Sequence, residues 1–111
     1  SEWDFQAAVI AECDRRGGLY SMVSAIPNGQ YRKGNRLESG TRPGLPDIFL
    51  PVPRTGYGAC FIELKVGRNV CKENQTLMHA RLRAVGNYVA VVWDSVDEVI
   101  AHFEMYLAGR V

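Results

Sequence analysis

Asp47, Glu63 and Lys65 are the residues of this chain whose types and spacing could do chemistry. Asp47 sits in Gly44-Leu45-Pro46-Asp47-Ile48-Phe49-Leu50, and the other two sit in Phe61-Ile62-Glu63-Leu64-Lys65. Residues i and i+2 of a strand share a face, so Glu63 and Lys65 point one way while Ile62 and Leu64 point the other. Thr55 lies midway between Asp47 and Glu63, inside Arg54-Thr55-Gly56-Tyr57-Gly58, which has the composition of a turn. A hairpin symmetric about Thr55 sets Asp47 across from Glu63, Ile48 across from Ile62 and Phe49 across from Phe61. Opposed carboxylates repel. A divalent cation between them removes that cost, and oxygen donors suit Mg²⁺ or Mn²⁺. The competing reading is a surface strand with a Glu63–Lys65 ion pair, which is worth little.

The elements that must position these groups follow from periodicity and stop signals. Residues 2 to 16 place Phe5, Ala8, Val9 and Cys13 at helical spacing, with Ser1 as a cap and Gly17-Gly18 as the stop. Leu19 to Ile26 predicts a strand, halted by Pro27-Asn28-Gly29. Residues 30 to 44 predict a long polar loop with a helical turn near Arg36 to Ser39, and loops of that length are usually functional. Asp47 to Val52 and Ala59 to Lys65 predict the two hairpin strands, with Pro46 and Pro51 marking an edge or a bend. Residues 72 to 85 predict a helix with Met78, Leu82 and Val85 on one side and Gly86 as its stop. Tyr88 to Trp93 reads as a strand buried on both faces. Ser95-Val96-Asp97-Glu98 fits a capping box that opens a last helix, with Val99, Ile100, Phe103 and Leu107 inward and an end near Gly109. The expected order is α-β-β-β-α-β-α.

A length of 111 residues predicts one domain, and 47% hydrophobic content supplies one modest core. No apolar run is long enough for a bilayer, and no signal-peptide pattern is present. An initiator methionine or tag is expected ahead of Ser1. The net charge of +1 excludes a polycation, yet the charge is uneven. From Asn28 to Arg54, five basic residues (Arg32, Lys33, Arg36, Arg42 and Arg54) face only Glu38 and Asp47. Such a run is either a solvated loop or a phosphate-facing patch. Cys13, Cys60 and Cys71 lack C-x-x-C spacing, which argues against zinc and against a disulfide framework and favours a reducing compartment. Cys13 and Cys60 read as core residues and Cys71 as a loop thiol. His79 and His102 fall on predicted helices without a triad or zinc partner, so both are expected at partly exposed positions. Trp3, Trp93 and Tyr106 read as core or interface anchors rather than base-stacking platforms. Asn28-Gly29 reads as a turn, or as a contact to a DNA backbone.

Taken in order, Glu2-x-x-x-Gln6, Ala25-Ile26-Pro27-Asn28-Gly29, Gly44-Leu45-Pro46-Asp47, Phe61-Ile62-Glu63-Leu64-Lys65 and Asn74-Gln75 form a set that spans nearly the whole chain. The set resembles the PD-(D/E)xK nuclease superfamily and, within it, the virus-type replication-repair nuclease (VRR-NUC) domains. The resemblance implies an α/β fold with a restriction-endonuclease-like αβββαβ(α) core, a mixed central sheet flanked by helices. It implies that Asp47 and Glu63 bind Mg²⁺ or Mn²⁺ with the main-chain carbonyl of Leu64, and that Glu2 is the first-helix acid near the metal. Glu12 is a competing acid that reads as an ordinary helix-surface residue. Lys65 is implied to orient water or stabilise developing charge, and Gln75 to buttress it. Carboxylate neighbours favour a positive Lys65, so an electrostatic role is expected rather than a general base. The chain departs from the family at Lys72-Glu73-Asn74, where a serine often stands; this bears on the helix cap more than on the chemistry.

The function implied is a metal-dependent DNA endonuclease, homodimeric and selective for branched DNA such as four-way junctions. DNA contacts are expected from Asn28, Arg32, Lys33, Arg36, Arg42 and Arg54. No base-reading module is visible, so DNA shape and phosphate position are expected to guide recognition. The expected setting is the cytoplasm of a bacterial cell or of a phage-infected host. The alternatives are a non-catalytic nucleic-acid-binding module that keeps the nuclease fold and, less favoured by the basic surroundings, a small-molecule phosphate hydrolase.

Overall fold

A computed structural model describes residues 1–27, 32–33, 36–37 and 39–111, with the backbone alone at 32–33 and 36–37. Helix α1 (Glu2–Arg16) starts at Ser1, whose Oγ accepts from the Asp4 N–H at 3.2 Å. That bond satisfies one of the free N–H groups of the first turn. A 3₁₀ turn (Gly18–Met22) follows, then β1 (Ser24–Ala25), β2 (Arg32–Lys33), β3 (Arg36–Leu37), β4 (Ile48–Leu50) and β5 (Cys60–Lys65). Helix α2 (Glu73–Ala84), β6 (Tyr88–Trp93) and α3 (Val96–Leu107) complete the chain. The main sheet has strand order β1-β4-β5-β6, antiparallel except for the parallel β5–β6 pair, while β2 and β3 pair separately. With β2–β3 set aside, the order is the expected αβββαβα.

The hairpin register matches the symmetric expectation. Ile48 pairs with Ile62, Phe49 with Phe61 and Leu50 with Cys60. Phe49 and Phe61 stack at 5.5 Å between ring centroids. The turn closes through reciprocal backbone bonds between Arg54 and Tyr57, with positive φ at Thr55 (53°) and Gly56 (85°). Positive φ at both central residues is the type I′ geometry that suits the strand twist. β4 ends at Leu50 rather than Val52, because Pro51 has no N–H for the ladder.

β5 divides its side chains between two faces. Cys60, Ile62 and Leu64 join Ile48, Leu50 and Val92 in the core with Phe5, Val9 and Cys13 of α1 and Val99, Ile100, Phe103 and Tyr106 of α3. Full burial of each such aliphatic or aromatic side chain is worth roughly 1.5–3 kcal/mol. Helix α3 begins at Ser95, whose Oγ accepts from the Glu98 N–H at 3.0 Å. Tyr106 is fully buried, and its hydroxyl donates to the Val52 carbonyl at 2.7 Å, so its polar tip is satisfied. Helix α2 covers the opposite face of β5, the one that carries Glu63 and Lys65. Cys13 and Cys60 are buried free thiols, as expected.

Several expectations are corrected. Leu19–Met22 is part of a 3₁₀ turn and only Ser24–Ala25 is strand, the turn held by the Ser21 hydroxyl donating to the Gly18 carbonyl at 2.6 Å and by Arg16 stacked over Tyr20. Arg36–Leu37 is a strand paired with β2, not a helical turn. Val85 is exposed while Met78 and Leu82 are half-buried, and α2 turns Gln75 and His79 toward the sheet. Trp3 is 77% exposed and belongs to no core. Trp93 is 41% exposed at the end of an edge strand, where its Nε1–H donates to the Asn69 carbonyl. No helix among the described residues is long and apolar enough to cross a membrane.

Candidate active site

Three short pieces of chain build the site. Pro46-Asp47 leads into β4, Glu63-Leu64-Lys65 ends β5, and Lys72–Gln75 opens α2. Asp47 lies one residue ahead of β4, and its Oδ2 accepts from the Leu64 N–H at 2.7 Å. The Asp47 side chain thus takes a β5 backbone donor and is pinned beside Glu63, with which it shares a hydrogen bond. Glu63 is fully buried and Lys65 is 5% exposed. Lys65 Nζ donates to Gln75 Oε1 at 3.0 Å and stands 3.9 Å from Glu63 Oε2 and 4.0 Å from Glu2 Oε1.

Helix α2 grips Glu63 from two successive turns. Gln75 Nε2 donates to Glu63 Oε2 at 3.4 Å, and His79 Nε2 lies 3.0 Å from Glu63 Oε1. Residues four apart share a helix face, so one stripe of α2 reaches both carboxylate oxygens. Gln75 Oε1 also accepts the Lys72 N–H at 2.8 Å, which satisfies a free donor at the helix start. Gly44 fits the loop against this helix. Its φ is +91°, and a Cβ there would lie 2.6 Å from the Asn74 carbonyl oxygen.

The electrostatics follow from burial. Asp47 is pushed up to about 7, first by desolvation and then by its hydrogen bond with Glu63, against the opposing Leu64 N–H and the charge of Lys65. Burial also raises Glu63. The interaction between the two carboxyls works in opposite directions on them, raising Asp47 and lowering Glu63. Burial, then the charges of Arg83 and Lys65, push His79 below its ordinary value. A neutral imidazole meets a carboxylate oxygen at this distance when its Nε2 carries the proton.

A divalent cation fits this donor set. The carboxyl oxygens of Asp47 and Glu63 are hard ligands. No group of three His, Cys, Asp or Glu side chains is arranged for metal binding among the described residues. Mg²⁺ does not demand one, since it is usually held by one or two carboxylates plus water and substrate phosphate. Beside the pair opens a cleft of about 500 Å³, lined by Asp47 and Lys65 and walled by Glu2, Trp3 and Gln6 of α1, Pro43 and Gly44 of the loop, and Lys72, Asn74 and Gln75 of α2.

Of the residues singled out from the sequence, the fold gathers Asp47, Glu63, Lys65, Glu2 and Gln75. Leu64 enters through its N–H, bound to Asp47. Glu12 is engaged elsewhere, in ion pairs with Arg15 and Arg16 that hold it down to about 2. Arg42 is exposed beside cleft-lining Pro43. Arg54 is at the far end of the hairpin, where its guanidinium donates to the Leu107 and Pro53 carbonyls, so the fold does not bring it to the cleft. Asn28 and the side chains of Arg32, Lys33 and Arg36 lie outside the described residues. Sequence reasoning missed His79, which is 3% exposed rather than partly exposed and has Glu63 as its partner. Its one signal was the four-residue step from Gln75. Lys72 and the cleft position of Trp3 were also missed. His102 is half-buried and bonded to the Tyr88 hydroxyl at 2.7 Å, away from the site.

No family model matches the sequence, and no curated protein matches it. Among solved structures, the chain is similar to a "VRR_NUC domain protein" with a TM-score of 0.79 and 21% identity, over 97% of this chain and 88% of that one. The likeness defines the fold: a VRR-NUC-like, restriction-endonuclease-like architecture with a four-stranded mixed sheet flanked by helices.

Proposed function

We propose that this chain is a Mg²⁺- or Mn²⁺-dependent DNA endonuclease, selective for branched DNA such as four-way junctions and active as a homodimer. The observation that carries the reading is a carboxyl pair, half-buried Asp47 and fully buried Glu63, set beside the buried ammonium of Lys65 at the wall of an open cleft. The VRR-NUC-like fold supports it. A structure built only for binding has no use for burying Glu63 and Lys65 together beside Asp47, since desolvating charge costs several kcal/mol per ion.

Asp47 and Glu63 would hold the metal, with the Leu64 carbonyl as a main-chain ligand and Glu2 as an outlying acid. Such an ion, when bound, acidifies a water and binds a phosphate oxygen. Lys65 supplies fixed positive charge where the phosphorane oxygens gain negative charge. Gln75 holds the Lys65 ammonium in place through its carbonyl oxygen and steadies Glu63 through its amide. His79 fixes the other oxygen of Glu63, which sets the carboxylate's orientation. Arg42 and Lys72 flank the cleft and offer charge to the DNA backbone. Two copies of a short chain would present two such sites to a two-fold symmetric junction.

Purified protein with Mg²⁺ or Mn²⁺ should cut four-way substrates ahead of linear duplex, and Lys65→Ala should fold yet fail to cut. Equal cleavage by that variant removes Lys65 from the chemistry. Binding of DNA without cleavage in any divalent ion would mark a binding module instead. Solution mass decides the homodimer.

A further inference from the structure

Trp3 is a large aromatic side chain left 77% exposed on the wall of the cleft that Asp47 and Lys65 line. Its helix buries Phe5, Val9 and Cys13 in the core and caps properly at Ser1, so the local fold does not need the indole. The indole makes no hydrogen bond or ring contact with the described residues. An apolar surface of this size beside polar catalytic groups is suited to a flat ligand. Pro43, Gln6, Asn74 and Lys72 line the same cleft.

We propose that Trp3 is the floor of a subsite for one unpaired nucleobase, next to the phosphate under attack; this rests on the nuclease reading above. Stacking on an aromatic face tolerates any base, because every base has a π-face. A base inside continuous duplex has both faces covered by its neighbours and must be unstacked to reach the indole. A base at a branch point, a flap or a single-stranded stretch already has a free face. Gln6 and Asn74 offer donors and acceptors to the base edge, and Lys72 offers charge to the adjoining phosphate. The subsite selects unpaired nucleotides by geometry, with no reading of sequence. It also accounts for an aromatic side chain in water at a place where a core or an interface anchor was expected.

The test uses 2-aminopurine, a base whose fluorescence falls on stacking, placed centrally in a single-stranded oligothymidylate or in the matching duplex. Binding is measured in EDTA to suspend hydrolysis. The wild-type chain should quench the single strand. Trp3→Ala should abolish the quench and weaken single-strand binding about tenfold, with duplex binding changed less than twofold. Trp3→Phe should restore most of both. Circular dichroism checks that the variants are folded. The subsite is overturned if Trp3→Ala quenches and binds like wild type, if it loses single-strand and duplex affinity equally, or if it changes only the solution mass. A wild-type chain that binds no DNA and cuts none overturns the subsite and the nuclease reading together. One that cuts DNA while Trp3→Ala cuts identically overturns the subsite alone.

Discussion

Glu63 is the residue around which the site is assembled. Asp47, Lys65, Gln75 and His79 all meet it, and it is shielded from bulk water. His79→Leu removes one partner of a buried carboxylate. Leaving such a group unsatisfied costs about 1–3 kcal/mol. Urea unfolding should register that loss, and cleavage should fall in kcat with little change in KM for DNA, because His79 orients Glu63 without lining the cleft. The carboxyl pair also predicts a pH dependence. Asp47 rises from 3.8 to about 7 on folding, so between those values the native state binds more protons than the unfolded one. Stability of the metal-free protein should therefore decline as pH climbs through that window and level off above it. Denaturation in EDTA at pH 5 and pH 8 measures the decline, and Asp47→Asn should flatten it. The pair itself was legible in the sequence, since hairpin symmetry about Thr55 places Asp47 across from Glu63. His79 was not, because a lone histidine on a helix announces no partner until another strand is set against it.

At the scale of elements, the site depends on how closely the Gly44 loop approaches the start of α2. Gly44→Ala combines a left-handed backbone with a Cβ 2.6 Å from the Asn74 carbonyl oxygen. Strain and overpacking of this kind each cost about 1–3 kcal/mol. The variant should melt lower than wild type, and it should lose cleavage beyond what partial unfolding explains, because Asn74 and Gln75 must shift. Thermal melts read against activity at a temperature well below the transition separate the two effects. The hairpin was readable because period-2 alternation and a Gly-containing turn centred on Thr55 point to one register, and the two prolines mark its edge. The first strand was misread at Leu19–Met22, where alternation in so short a segment gave way to a local turn. The inward face of α2 was not legible for a physical reason: its sheet-facing stripe covers the site and so carries Gln75 and His79, while apolar Leu77 and Val85 face outward.

For the whole molecule, the cation is expected to matter for stability as well as reactivity. A ligand that binds only the native state stabilises it by about 2.7 kcal/mol at roughly a hundredfold excess over its Kd. Mn²⁺ should raise the melting temperature of the wild type and leave that of Asp47→Asn unmoved; an equal rise in both would place the ion elsewhere. Sequence by itself determined the αβββαβα order, the Asp47–Glu63 register and the hydrophobic face of β5, because each rests on local periodicity and turn chemistry. The tertiary structure alone decided which polar groups share the site. Packing α2 across the Glu63 face brings in Gln75 and His79, the first turn of α1 brings in Glu2 and Trp3, and the far end of the hairpin takes Arg54 away. These are contacts between segments distant in sequence, and no local pattern encodes them. The carboxyl pair was visible from spacing, but its environment existed only once the helices had packed around it.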